Sequence, residues 1–101
     1  MLNAGTQARG FYLPEKITLD NIANVRALGE KHIFEQKTAE GNECTFDLSG
    51  LEQFNSLAVA LLMAWFRYAH AHGKSIVYID VPHDLRNIID VSGLTEVLPI
   101  K

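Results

Sequence analysis

Cysteine occurs once among the 101 residues, at Cys44. One thiol can neither close an intramolecular disulfide nor furnish a four-cysteine zinc site, and a reducing, cytoplasmic home is the simplest reading. Basic residues are in deficit as well: nine Lys and Arg face twelve Asp and Glu, a formal net charge of −3. No nucleic-acid partner is expected, because proteins that grip the phosphate backbone show a basic excess or stripe. Long apolar runs are absent. The longest, residues 57–66, covers ten positions. A membrane helix needs roughly 20, so the run reads as a buried helix, with no direct membrane insertion. Residues 1–10 have no apolar stretch behind a basic start, which does not fit a signal peptide.

What remains is ordinary for one globular domain: 48% hydrophobic and 21% charged residues, enough chain for one modest core. Residues 1–9 are small and polar and read as frayed or as a weak edge strand. Residues 10–13 form a short apolar piece cut off by Pro14, which suits an edge strand. Residues 19–35 show helical spacing, with Ile22, Val25, Leu28, His32 and Ile33 near one face and Asp20 or Thr18 available as a cap. Gly29 within that helix costs about 1 kcal/mol against alanine. Residues 37–43 are a polar loop. Residues 44–48 read as a strand and 49–55 as a connection. Ser56 opens the apolar helix, which runs to about His72 and stops at Gly73. Residues 75–81, rich in β-branched side chains, form the best strand, ended by Pro82. A short amphipathic helix follows over 83–91, with Leu85, Ile88, Ile89 and Val91 as its apolar side and Ser92-Gly93 as its stop. The tail, 94–100, is apolar but carries Pro99, which suits an extended segment. Strand, helix and strand over 44–81 make a βαβ unit, hence parallel neighbours with a right-handed crossover. The fold class is an α/β sandwich. The central helix is apolar over most of its girth and has to be covered on more than one side.

Few residues carry a chemical signal. Gly73-Lys74-Ser75 looks like the end of a phosphate-binding loop, but the required earlier glycine is Tyr68, and the tripeptide ends a helix where the motif opens one. His70 and His72 are two apart, a spacing that turns them to different sides of a helix, so solvated or capping roles are expected. His32 and His83 are isolated. Met63, Trp65 and Phe66 read as core. Asp47 and Asp80 fall near the C-terminal ends of adjacent strands, the edge at which α/β proteins bind ligands. No nucleophile–base pair, glycine-rich loop or positioned lysine accompanies them, so catalysis is not expected, nor a metal or cofactor. Asp47 is better read as bonding backbone amides after its strand. Ser56 reads as the helix N-cap, its hydroxyl accepting from first-turn amides, and also as an exposed regulatory or contact hydroxyl.

The stretch Phe46-Asp47-Leu48-Ser49-Gly50, continuing through Asn55-Ser56-Leu57-Ala58-Val59-Ala60-Leu61-Leu62, resembles the signature of the STAS domain, named for sulfate transporters and anti-sigma factor antagonists. That pattern is a strand ending in Asp-Leu-Ser/Thr, a loop, and Asp-Ser/Thr-Ser/Gly-Gly-Leu opening an apolar helix. The resemblance covers residues 10–98 and implies a STAS-like, mostly parallel short sheet packed by helices. Asn55 stands where the family usually has Asp, Leu57 where antagonists carry the phosphorylated serine, and Ala58 where glycine is usual. The start is short for the family's first strand, which implies a missing or weakened sheet edge. Within the family the chain is similar to the small stand-alone subunits of bacterial lipid-asymmetry ABC transporters. This implies a non-catalytic cytoplasmic accessory protein, peripheral to the inner membrane, that docks on the transporter ATPase and is a possible homodimer in isolation. Asn55, Ser56, Leu57, Ala58 and Asp47 are its expected partner-binding or regulatory residues. The alternative is an anti-sigma factor antagonist in a phosphorylation-controlled partner switch.

Overall fold

The computed structural model describes residues 5–7, 10–36 and 43–101. Its elements, in chain order, are β1 (Gly5–Gln7), β2 (Gly10–Tyr12), α1 (Ile22–Glu35), β3 (Glu43–Asp47), α2 (Ser56–Ala71), β4 (Ser75–Ile79) and α3 (His83–Val91). The strands form one sheet in the order β1-β2-β3-β4. β1 runs antiparallel to β2, while β2, β3 and β4 are parallel. The expected mostly parallel sheet with its βαβ unit is therefore present. Of the first nine residues, Gly5–Gln7 supply the short edge strand; 1–4 and 8–9 lie outside the described residues, as do 37–42 of the expected polar loop.

The core is built on one cross-strand row. Phe11 in β2 pairs in register with Phe46 in β3, which pairs with Tyr78 in β4. All three are essentially fully buried. Side chains two apart share a face of a strand, so Cys44 and Leu48 join Phe46 beneath the helices. Trp65 of α2 lies over the row, its ring centre 4.7 Å from Phe46 and 5.8 Å from Phe11. His32 of α1 sits 5.7 Å from both phenylalanines. Each aromatic ring removes a large apolar area from water, so this cluster concentrates much of the folding free energy in one place. The Tyr78 hydroxyl donates to the Leu62 carbonyl at 2.7 Å and ties β4 to α2.

Several boundaries depart from the sequence expectation. Helix α1 starts at Ile22, not at 19, and neither Thr18 nor Asp20 caps it. Asn21 occupies the cap position and turns its side chain outward from the helix: Oδ1 accepts from the Thr18 amide at 2.9 Å, and Nδ2 donates to the Lys16 carbonyl. Leu28, expected on the buried side, is 37% exposed, and Gly29 takes that seat because the Trp65 indole fills the space a Cβ would need. Strand β4 ends at Ile79, two residues before Val81, because Asp80 turns the chain with φ +53°. Val91 is 88% exposed and does not belong to the apolar side of α3. Helices α2 and α3 end as expected, at Gly73 and Gly93, both with positive φ. In each the amide after the glycine bonds back into the last turn, Lys74 to Ala69 and Leu94 to Ile89. The tail is extended at its end: Ile100 bridges Tyr78 in parallel, covering the outer edge of β4.

Candidate docking site

The β3–α2 connection is rigid for reasons that lie mostly in the backbone. The carboxylate of Asp47, at the end of β3, accepts from the Ser49 amide at 2.8 Å and bends the chain out of the sheet. Leu48 and Leu51 are buried and anchor the loop. The amides of Glu52 and Gln53 both donate to the Glu15 carbonyl, and the Ile17 amide donates to Gln53 at 2.9 Å. The segment after β2 thus fastens the loop that leads into α2. Sequence reasoning missed this role of Glu15 and Ile17, because a contact made by carbonyls and amides leaves no side-chain signature.

Asn55, and not Ser56, is the N-cap of α2. Its Oδ1 accepts from the Leu57 amide at 2.8 Å, and its backbone is extended at φ −145°. The physical reason is that the chain leaves the extended region one residue earlier than expected, and asparagine ranks with serine as a cap. Ser56 therefore sits in the first helical position. It is exposed, and its hydroxyl makes no hydrogen bond among the described residues. The first turn of α2 holds no acidic residue, so the positive end of the helix dipole is not neutralised from within the helix. Leu57 is half-buried, while Ala58 is 1% and Asp47 7% exposed. Asn55, Ser56 and Leu57 are accessible at the start of α2, Ala58 is buried in its first turn, and Asp47 is buried at the end of β3, where it holds the start of the loop. The cradle is suited to presenting a small hydroxyl and an apolar side chain on a fixed backbone.

The other candidates go elsewhere. Asp47 ends β3 and Asp80 follows directly after β4, its neighbour, but Asp47 bonds the loop and Asp80 is exposed. Among the described residues no group of three or more His, Cys, Asp and Glu is placed to hold a metal ion. Lys74 closes the C-terminal end of α1, its ammonium donating to the carbonyls of Ile33 at 3.0 Å, Phe34 at 2.8 Å and Gln36. His72 stacks on Tyr68 at 4.1 Å, with Nδ1 2.8 Å from the Tyr68 carbonyl, so it does serve at the helix end. Burial pushes the Cys44 thiol up, with nearby Lys74 opposing; a buried neutral thiol is a poor nucleophile. No helix among the described residues is long and apolar enough to cross a membrane.

A short sheet with an antiparallel edge, helices against the Phe46 row and a rigid loop into a capped apolar helix define a small α/β interaction domain. The family described as "Mlab, STAS domain" matches residues 10–99, and the chain belongs to the STAS domain family. Two solved structures are similar in fold. One is an anti-sigma-factor antagonist (STAS) domain protein from Planctomyces limnophilus. It shares 14% identity at a TM-score of 0.69, over 99% of this chain and 87% of that one. The other is a putative anti-sigma factor antagonist from Thermotoga maritima, with 16% identity at a TM-score of 0.64, over 98% and 84%. No functionally curated protein shows significant sequence similarity to the chain. STAS domains work through protein–protein contacts.

Proposed function

We propose that the chain is an accessory STAS subunit that docks on the ATPase of a phospholipid-transport ABC complex, at the cytoplasmic side of the inner membrane, and acts by contact without catalysis. The observation that carries the reading is the pair Ser56 and Leu57 on the first turn of α2. An apolar Leu57 stands where kinase-switched antagonists of the family carry their phosphorylated serine. A half-buried leucine beside a small exposed hydroxyl suits a permanent contact, since it adds apolar area and no charge. Asn55 holds that turn by its cap, Ala58 is buried within it, and Asp47 holds the start of the loop that leads to it.

A second reading, the anti-sigma factor antagonist, is favoured by one feature: the exposed Ser56 hydroxyl at a helix N-terminus with no acidic neighbour in its first turn. A phosphate there is welcomed by the helix and changes a docking surface by nearly two charges. One variant separates the readings. Ser56→Asp keeps the Asn55 cap and adds a favourable charge to the helix end, so it should melt at or above the wild-type temperature. It should nevertheless lose retention of the ATPase in co-purification, because a carboxylate placed in an interface without a counter-charge is costly to desolvate. A stable variant that still binds fully removes Ser56 from the contact. Incorporation of phosphate at Ser56 by a partner-switching kinase supports the antagonist reading instead.

A further inference from the structure

The seam between α1 and α2 carries an open groove. One stretch of about 250 Å³ is lined by Ile22, Ala23, Arg26, Ala60, Leu61 and Ala64. A second, of about 440 Å³, shares Arg26, Ala60 and Ala64 and continues past Glu30, Arg67 and Tyr68. The floor of the first stretch is apolar and shallow because alanine stands at Ala23, Ala60 and Ala64, whereas the second stretch is more polar, bordered by Arg26, Glu30, Arg67 and Tyr68. Alanines at this spacing let another helix approach closely, since interaxial distance is set by the side chains at the contact. The rim is charged unequally. Arg26 is already paired with Glu30 at 2.9 Å. Arg67 is exposed and has no acidic partner among the described residues. Two cations and one anion therefore border an apolar floor in a chain whose net charge is −3.

We infer that this groove docks an amphipathic helix of a partner protein whose apolar stripe is flanked by acidic side chains, one of them set against Arg67. The charge argument selects the occupant. A basic helix would meet an uncompensated guanidinium, and like charges brought together at an interface are strongly disfavoured. A purely apolar helix would leave Arg67 desolvated without a partner. The groove is open along its length, which suits a helix face lying in it and offers little enclosure to a small molecule. Ala60, Ala64 and Arg67 follow Ser56 along one side of α2, so the groove continues the surface at Ser56 and the inference rests on the docking reading while naming the chemistry of what docks.

The test uses the full chain and two synthetic helical peptides of about 18 residues, five turns. Both carry one Leu/Ala stripe; one has Glu on either side of it and the other Lys at the same places. Binding is read by fluorescence anisotropy, and the contact surface by amide chemical shifts. The Glu peptide should bind at least about tenfold more tightly than the Lys peptide, with shifts centred on Ala23, Ala60 and Ala64. Arg67→Glu, a surface change, should invert that preference. Ala60→Trp, which fills the groove from an exposed position, should abolish binding of both while the circular-dichroism spectrum stays native. Equal affinity for the two peptides, or shifts away from the groove, overturns the proposal. So does Arg67-dependent binding of phosphatidylglycerol vesicles without peptide binding, which would make the groove a lipid surface. Groove shifts that depend on protein concentration alone also overturn it, because they assign the groove to a second copy of the chain.

Discussion

Gly29 shows how a single missing atom can be required. Helix propensity favours alanine over glycine by about 1 kcal/mol, so Gly29→Ala would stabilise an isolated α1. Here the added methyl would land on the Trp65 indole, whose Nε1 donates to the Arg26 carbonyl at 3.0 Å and cannot swing aside freely. The substitution should destabilise the fold by roughly 1–3 kcal/mol, the usual range for overpacking, read as a lower urea midpoint. A raised midpoint would mean that α1 shifts away at no cost. The α2 N-terminus allows a matched comparison. Asn55→Ala removes the bond to the Leu57 amide and should cost about 0.5–2 kcal/mol, whereas Ser56→Ala should fall within about 0.5 kcal/mol of wild type. The reverse order would return the cap to Ser56.

Among the elements, α1 depends on a residue forty positions away. Its final carbonyls receive the Lys74 ammonium, a cation placed where the helix dipole is negative. Lys74→Met keeps most of the stem and removes the charge. It should fray the last turn, seen as faster hydrogen exchange at the Gln36 amide, which donates to Ile33. The global cost should be small, about 1 kcal/mol, since part of the contact is solvent-exposed. Unchanged exchange would show that the turn holds without the clamp. This clamp also marks where sequence reading stopped. Periodicity revealed α1, α2 and α3, and the β-branched run revealed β4, because burial imposes those patterns on side chains. The Schellman ends at Gly73 and Gly93 were legible for the same reason: glycine is visible where φ must be positive. What stayed hidden was tertiary. Nothing local tells that Gly29 faces Trp65, that Lys74 reaches Ile33, that Glu15 fastens the loop before Asn55, or that Asp80 accepts a left-handed turn and ends its strand early. At the candidate site the surface of Asn55, Ser56 and Leu57 was legible as a motif, but the cap was assigned one residue late, since Asn and Ser compete equally for that role.

For the molecule as a whole, the aromatic core gives stability a dependence on pH. His32 is 6% exposed and packs against both Phe11 and Phe46, and burial holds its pKa below the ordinary value of 6.5, with Glu35 on the same helix opposing. The imidazole is neutral in the folded protein over a range in which the unfolded chain has already begun to take up a proton. Stability from this residue is therefore complete above pH 6.5 and is lost as the pH falls from 6.5 toward the lower folded value. Carboxylates add their own acid sensitivity at lower pH, so the comparison has to be with a variant. His32→Leu is apolar and of similar size, and it should flatten the fall in urea midpoint between about pH 7.5 and about pH 5.5, where histidine is the ordinary side chain that titrates. The wild type should lose more of its stability over that interval than the variant does. Because His32 joins α1 to the sheet, the acid-induced loss should appear first as detachment of α1, with exposure of Trp65 and a red shift of its fluorescence. Parallel midpoint curves for the two proteins would mean that His32 titrates alike in the folded and unfolded chains, and that its place in the aromatic cluster costs the charged form nothing.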